Sequence, residues 1–206
     1  MSHETKPSEA GSGLWRSLWR PSKTHALGLL LTIGVALGVV GWGGFNWAME
    51  MTNTEAFCLS CHEMKENVYA EYRGTIHDSN ASGVRATCPD CHVPKAWTYK
   101  IVRKIQASNE LWHHVLGTID TPEKFEEKRL HLARNVWTAM ASTNSRECRN
   151  CHDFTSMDVT AQRNRARERH LEADKSGATC IDCHKGIAHD LPAGIKEEEL
   201  HPKGGK

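Results

Sequence analysis

Cys58-Leu59-Ser60-Cys61-His62 decides how this chain folds. The same Cys-x-x-Cys-His pattern recurs at Cys88–His92, Cys148–His152 and Cys180–His184, and the four copies use all eight cysteines. Two thiols at this spacing form thioethers with the two vinyl groups of a haem, and the adjoining histidine is held against the iron. Tetrahedral zinc requires cysteine pairs but no histidine directly after each one. A thioredoxin-like site uses a single such pair inside an α/β fold. The pattern therefore predicts four covalently bound haem c groups, attached through Cys58, Cys61, Cys88, Cys91, Cys148, Cys151, Cys180 and Cys183, and electron transfer as the class of function.

Composition agrees with a fold built around cofactors. Of 206 residues only 39% are hydrophobic and 7% aromatic, and one apolar stretch is committed elsewhere. Residues 50–206 are too polar for a large side-chain core, so four porphyrins are expected to supply the missing apolar surface. A formal charge of +1 gives no electrostatic case for nucleic acid as a partner.

That apolar stretch is Ala26–Met49, which carries no charged residue. At 1.5 Å per residue it can cross a hydrocarbon layer of about 30 Å. It is longer than a secretory h-region, and no small-x-small cleavage site closes it, so an uncleaved anchor is expected. Arg16, Arg20 and Lys23 precede it, while Glu50 and Glu55 follow. The positive-inside rule then leaves residues 1–25 in the cytoplasm and sends the remainder to the periplasmic side of a bacterial inner membrane. Trp15 and Trp19 at one boundary, Trp42 and Trp47 at the other, suit interfacial anchors. Gly34 and Gly38 form a small-xxx-small pair of the kind through which two copies pack helix on helix.

The motifs fall into two pairs, spaced by 30 and 32 residues. The second member of each pair reads alike, Ala86-Thr87-Cys88-Pro89-Asp90-Cys91-His92 against Ala178-Thr179-Cys180-Ile181-Asp182-Cys183-His184. Internal repetition of this kind predicts a dihaem module used twice, at about 50–94 and 142–195, joined by a helical connection at 95–141 and followed by a polar tail at 196–206. Within the connection one helix is expected over about Lys95–Leu116 and another from Thr121, as N-cap before Pro122, to about Ala141. A third is expected over Thr160–Ala173, stopping before Gly177. No stretch sustains period-two alternation, so the fold class is mainly α with little or no sheet. The tail, rich in Glu197, Glu198 and Glu199, reads as solvated and disordered.

Repetition also sorts the histidines. His77 lies eleven residues before Cys88 and His170 ten before Cys180, while His189 lies five after His184. These three are candidates for the second iron ligand, opposite the motif histidines His92, His152 and His184. Trp97 stands where a counterpart of His189 would be, so one distal ligand is missing. If His77 and His170 each cross to the other module's second haem, the odd haem is the one at Cys58 and Cys61, nine residues beyond the anchor. That is where a lipid-soluble donor would react.

Together these features resemble the NapC/NirT family of membrane-anchored tetrahaem quinol dehydrogenases. The resemblance rests on the basic N-terminus, the single anchor, Cys58-Leu59-Ser60-Cys61-His62-Glu63-Met64 and the run Cys180–His189. Asp120-Thr121-Pro122-Glu123-Lys124-Phe125 and Thr143-Asn144-Ser145-Arg146-Glu147-Cys148 are similar to the branch that serves periplasmic nitrate reductase. The family implies that Met64, rather than His62, ligates the first iron. By the same analogy His152 pairs with His189 and His184 with His77, while His92 takes a second ligand that some relatives draw from a partner protein and for which His170 is the candidate here. It further implies a quinol site with a lysine and an acidic residue, best matched by Lys104 and Glu110, with Arg103, His113 and His114 in reserve. On an ideal helix Lys104 and Glu110 point about 120° apart, so they share a site only if the helix bends or the quinol lies between them.

The implied function is oxidation of menaquinol or ubiquinol and transfer of electrons to a periplasmic acceptor in nitrate or other anaerobic respiration. The implied acceptor is the dihaem cytochrome subunit of nitrate reductase, and the chain is a quinol dehydrogenase rather than the terminal reductase. The alternative is an anchored relay to nitrite or another reductase without its own quinol site. A haem enzyme acting on nitrite or hydroxylamine is disfavoured, because no Cys-x-x-Cys-Lys occurs and the odd haem is expected against the membrane, along with Lys95 and Lys100 near lipid head groups.

Overall fold

The computed structural model describes residues 21–200, and these are helical, with no strand among them. Trp15, Arg16, Trp19 and Arg20 lie outside the described residues. Contacts divide the chain into two units, residues 1–49 and 50–206.

In the first unit the chain enters helix α1 (Leu27–Met51), 25 residues long and apolar enough to cross a membrane. None of its side chains is buried in protein, as a lipid-facing helix requires. Its polar side chains are satisfied along the helix itself. Thr32 donates to the Gly28 carbonyl at 2.8 Å and Asn46 to that of Trp42 at 2.8 Å. Internal satisfaction of this kind is what a segment surrounded by hydrocarbon needs.

The second unit is a string of short helices around two long ones. It comprises α2 (Glu55–Cys58), a π-helical turn at Met64–Val68, α3 (Tyr69–Tyr72), α4 (Cys88–His92), α5 (Trp97–Val115), α6 (Pro122–Ser142), α7 (Arg146–Arg149), α8 (Asn164–Ser176), α9 (Cys180–Cys183) and α10 (Glu197–Leu200). Two 3-10 turns, Phe154–Ser156 and Val159–Ala161, precede α8. Thr121 caps α6 by accepting from the Lys124 N–H, with Pro122 in the first turn, as the sequence leads one to expect. Helix α8 begins four residues later than Thr160, because Asp158 accepts from Thr160 and Ala161 and winds those residues into the 3-10 turn. Gly177, at φ 71°, stops α8 in the left-handed conformation that glycine adopts without a Cβ clash.

The repeated motifs share local architecture. Thr87 and Thr179 open α4 and α9 with the same capping box. Asp90 accepts from the Thr87 N–H at 2.8 Å and hydroxyl at 2.6 Å, and Asp182 accepts from Thr179 at 2.8 Å in both bonds. The first motif of each pair instead starts at the end of a one-turn helix, with Cys58 closing α2 and Cys148 lying within α7.

The side-chain core is small. Among the described residues the buried apolar side chains are Tyr72, Phe125, Ile181 and two prolines, Pro94 and Pro192. Polar ties carry much of the cohesion. Arg129, 10% exposed, reaches Glu71 at 2.5 Å, Glu126 at 2.6 Å and the Asp190 carbonyl at 2.9 Å, joining α3, α6 and the chain after His189. Burial would raise the Glu71 carboxyl, but the bonds from Arg129 and the Asp190 N–H outweigh it and hold it below the usual carboxylate range. Arg85 grips Glu55 through two bonds at 2.6 and 2.8 Å and Asp78 at 2.9 Å, pinning the loop after His77 to α2.

The tail departs from expectation. Glu197–Leu200 is a helical turn, and Glu199 takes two bonds from Arg134 at 2.7 and 2.9 Å. A carboxylate matched to a guanidinium fork is enough to order a segment whose composition alone reads as solvated.

Candidate functional site

The four motifs form one continuous run. Helix α2 packs on α4 and α4 on α7. The Cys58 and Cys88 thiols lie close enough to act on each other's acidity, as do those of Cys148 and Cys180. Cys91 lies close enough to Cys148 and Cys151 for their charges to interact. Ser145, wholly buried at the start of α7, accepts from the Ile181 N–H at 3.1 Å and ties the third motif to the fourth. The attachment points therefore follow one another in space in chain order, and all eight sulfurs are free of disulfides.

Beside this run the histidines meet in pairs. Ring centres are 6.2 Å apart for His77 and His152, 6.2 Å for His92 and His189, and 6.1 Å for His170 and His184. A ligating imidazole nitrogen lies about 2 Å from its metal and the ring centre about 1 Å further, so two imidazoles on opposite sides of one ion have centres about 6 Å apart. All three pairs fit a metal held between them. Outer partners orient the rings as well. The His189 Nδ1–H donates to the Val68 carbonyl at 3.0 Å and that of His170 to Gln162 at 2.5 Å, leaving each Nε2 with its lone pair. The His77 Nδ1 is buried without a partner. Burial lowers His92 to about 4 and also lowers His77 and His189, so these rings remain neutral, the form that ligates.

The pairing differs from the one expected. His77 meets His152 rather than His184, His189 meets His92 rather than His152, and His170 meets His184 in its own module rather than crossing to His92. The reason is local. His170 rides on α8, which Gly177 stops three residues before Cys180, so the helix lays it over its own motif. His77 has no such helix. It sits in a loop whose backbone is held by Tyr72, through the His77 carbonyl at 2.8 Å and the Ala86 carbonyl. Equal spacing in sequence thus leads to unequal positions.

The first motif stands apart. His62 and His114 have ring centres 6.3 Å apart, but the His62 Nε2, the nitrogen such a motif turns to iron, donates to the Asp120 carbonyl at 3.0 Å. That bond raises the His62 pKa, opposite to the buried rings. Met64, two residues on, opens the π-helical turn, a widened geometry common at functional positions. Glu63, 3% exposed, accepts from His114 at 2.6 Å through Oε1 while Oε2 has no hydrogen-bond partner. Sequence reasoning passed over Glu63, though its place directly after a motif histidine is the signal that could have found it. It offers a buried acceptor beside Cys61, with which it and His114 form a close cluster.

Lys104, on α5, donates to the Thr52 carbonyl at 2.6 Å and hydroxyl at 3.1 Å, and its charge acts on Cys58. Burial lowers its pKa. Glu110 faces elsewhere, exposed and paired with Arg103 at 2.8 Å, and Arg103 in turn donates to the His92 carbonyl at 3.3 Å. Lys104 therefore stands at the first motif and Glu110 with Arg103 toward the second, and the structure does not bring the pair into direct contact. His113 bonds Thr118 at 3.1 Å.

Paired imidazoles, free motif thiols close together and a thin core behind a membrane-length helix define a membrane-anchored c-type cytochrome, with covalently bound haem and a role in electron transport. A family model described as the NapC/NirT cytochrome c family, N-terminal region, matches residues 20–194, and the chain belongs to that family. It is 58% identical to the denitrification system component NirT of Stutzerimonas stutzeri, over 91% of this chain and 93% of that one. Identity to the cytochrome c-type protein NapC of Escherichia coli is 57%, covering 87% of this chain and 89% of the other. A protein of Allochromatium vinosum named as a tetraheme cytochrome c type is 51% identical over 77% and 89% of the two chains.

Proposed function

We propose that this cytochrome oxidises membrane quinol and delivers the electrons to a periplasmic reductase through four haems c. The observation that carries the reading is the unbroken spatial run of the four attachment motifs, beginning at the one that follows the membrane helix. When bound, haem supplies the one-electron redox chemistry that no side chain here provides.

The paired rings support His77 with His152, His92 with His189 and His170 with His184 as axial ligands. At the first motif Met64 is the proposed ligand, with His62 the alternative, because Asp120 already engages the His62 Nε2. A thioether there raises the potential relative to imidazole.

Quinol gives up two electrons and two protons on becoming quinone. Its hydroxyl needs a hydrogen-bonding side chain at the entry point. Lys104 fills that role, since its ammonium lies at the first motif and its present partners, the Thr52 carbonyl and hydroxyl, are groups a quinol oxygen can replace. Glu110 is the weaker member of the expected pair, being held by Arg103 in an exposed position. The charge bias across α1 supports a periplasmic second unit, so protons would be released there. The runs 120–125 and 143–148 support the dihaem subunit of nitrate reductase as acceptor. The likeness to a denitrification component supports nitrite reduction as the second reading.

The test uses oxidised holoprotein in detergent. A water-soluble menaquinol or ubiquinol analogue is expected to reduce its haems within the mixing experiment, without another protein. If no quinol reduces haems that dithionite reduces normally, the protein is a relay with a protein donor.

A further inference from the structure

Helix α5 has two unlike faces. One is occupied: Lys100 pairs with Glu50 at 2.6 Å, Lys104 binds Thr52, Arg103 binds the His92 carbonyl, His114 binds Glu63, and the Arg146 guanidinium lies 4.3 Å above the Tyr99 ring. At 100° per residue the opposite side gathers Val102, Ile105, Trp112 and Leu116 within an arc of about 80°. These are 49%, 68%, 60% and 54% exposed. Through Lys104, His114 and Arg103 the occupied face meets the first two motifs, so haems attached there would lie on that side, beside the exposed Leu111 and Val115, and not over this stripe. Asn109 is the one polar side chain along it.

We infer that α5 lies in the plane of the membrane surface, with Val102, Ile105, Trp112 and Leu116 buried in the acyl–headgroup boundary of the bilayer. Continuity with the anchor selects lipid as the occupant. Glu50 and Thr52 flank the end of α1, and Lys100 and Lys104 hold α5 to them, within one side-chain length of where the chain leaves the hydrocarbon. An amphipathic helix tethered at that level meets lipid before it meets any soluble partner. Its composition fits the interface. Trp112 has an apolar ring with a polar N–H, and Lys95, just before the helix, can reach a phosphate headgroup. The arrangement places Lys104 at the depth from which a quinol must emerge.

The test is photolabelling of the holoprotein in nanodiscs that contain a trace of phospholipid with a diazirine on its acyl chain. Peptides are mapped by mass spectrometry, and α1 serves as the internal positive control. Label is expected on the segment 102–116 as well as on α1. In Ile105→Glu/Trp112→Glu it should fall about tenfold or more on α5 alone, since two apolar side chains no longer favour the lipid. The haem absorbance of the variant reports whether it has folded. Label on α1 with none on α5 in the wild type would overturn the inference. So would dimers that the double variant abolishes, because a second copy would then be the cover.

Discussion

A chain in which all eight motif cysteines are serine is expected to leave residues 50–206 unfolded, with α1 as its only stable helix. Five buried apolar side chains, two of them prolines, cannot offset the entropy of ordering so many residues. Large apolar groups near the motifs, including Phe57, Leu171 and Ile187, are 40% or more exposed to solvent in the polypeptide alone. Porphyrin faces would cover them. The short helices carrying the motifs are a single turn each, too short to persist without tertiary support. Far-UV circular dichroism and limited proteolysis, set against the holoprotein, check this. A protease-resistant 50–200 core in the serine variant would mean that the polypeptide holds itself.

His189→Leu is expected to convert one haem from low-spin to high-spin and slow electron delivery to the acceptor by about 100-fold or more, beyond the 10–100-fold that losing an outer-shell partner costs. His189 reaches the second motif from the far end of the chain, guided by Val68 and by the Glu71–Arg129 tie next to it. Its opposite ring is His92. A pair of substitutions distinguishes this arrangement from the one the repeat implies. If both rings serve one iron, His92→Leu/His189→Leu loses a single low-spin haem by electron paramagnetic resonance, as each single variant does. Two lost haems would assign the residues to different irons.

The reach of sequence reasoning is clear from particular residues. The four motifs named the cofactor, and the missing charge over Ala26–Met49 named the anchor, because both are local patterns with one strong physical reading. Thr121-Pro122 and Gly177 marked helix ends for the same reason. His77, His170 and His189 were found by repetition, and each does meet a motif histidine. Which one it meets was not legible, since that depends on α8 carrying His170 while a loop carries His77. Likewise Lys104 and Glu110 share a helix, but only side-chain contacts reveal that Arg103 draws Glu110 away. Glu199 was hidden because its order comes from Arg134, 65 residues earlier.

Stopped-flow mixing of oxidised Lys104→Ala with a soluble quinol analogue, beside wild type and Glu110→Ala, tests the central claim that quinol is oxidised at the first motif. Loss of one preorganised hydrogen-bond donor slows comparable reactions by about 100-fold. That slowing is expected for Lys104→Ala, with dithionite reduction and haem content unchanged, and an effect within about threefold for the ion-paired, exposed Glu110. Reduction of Lys104→Ala at the wild-type rate would contradict the account and move the quinol site away from the first motif.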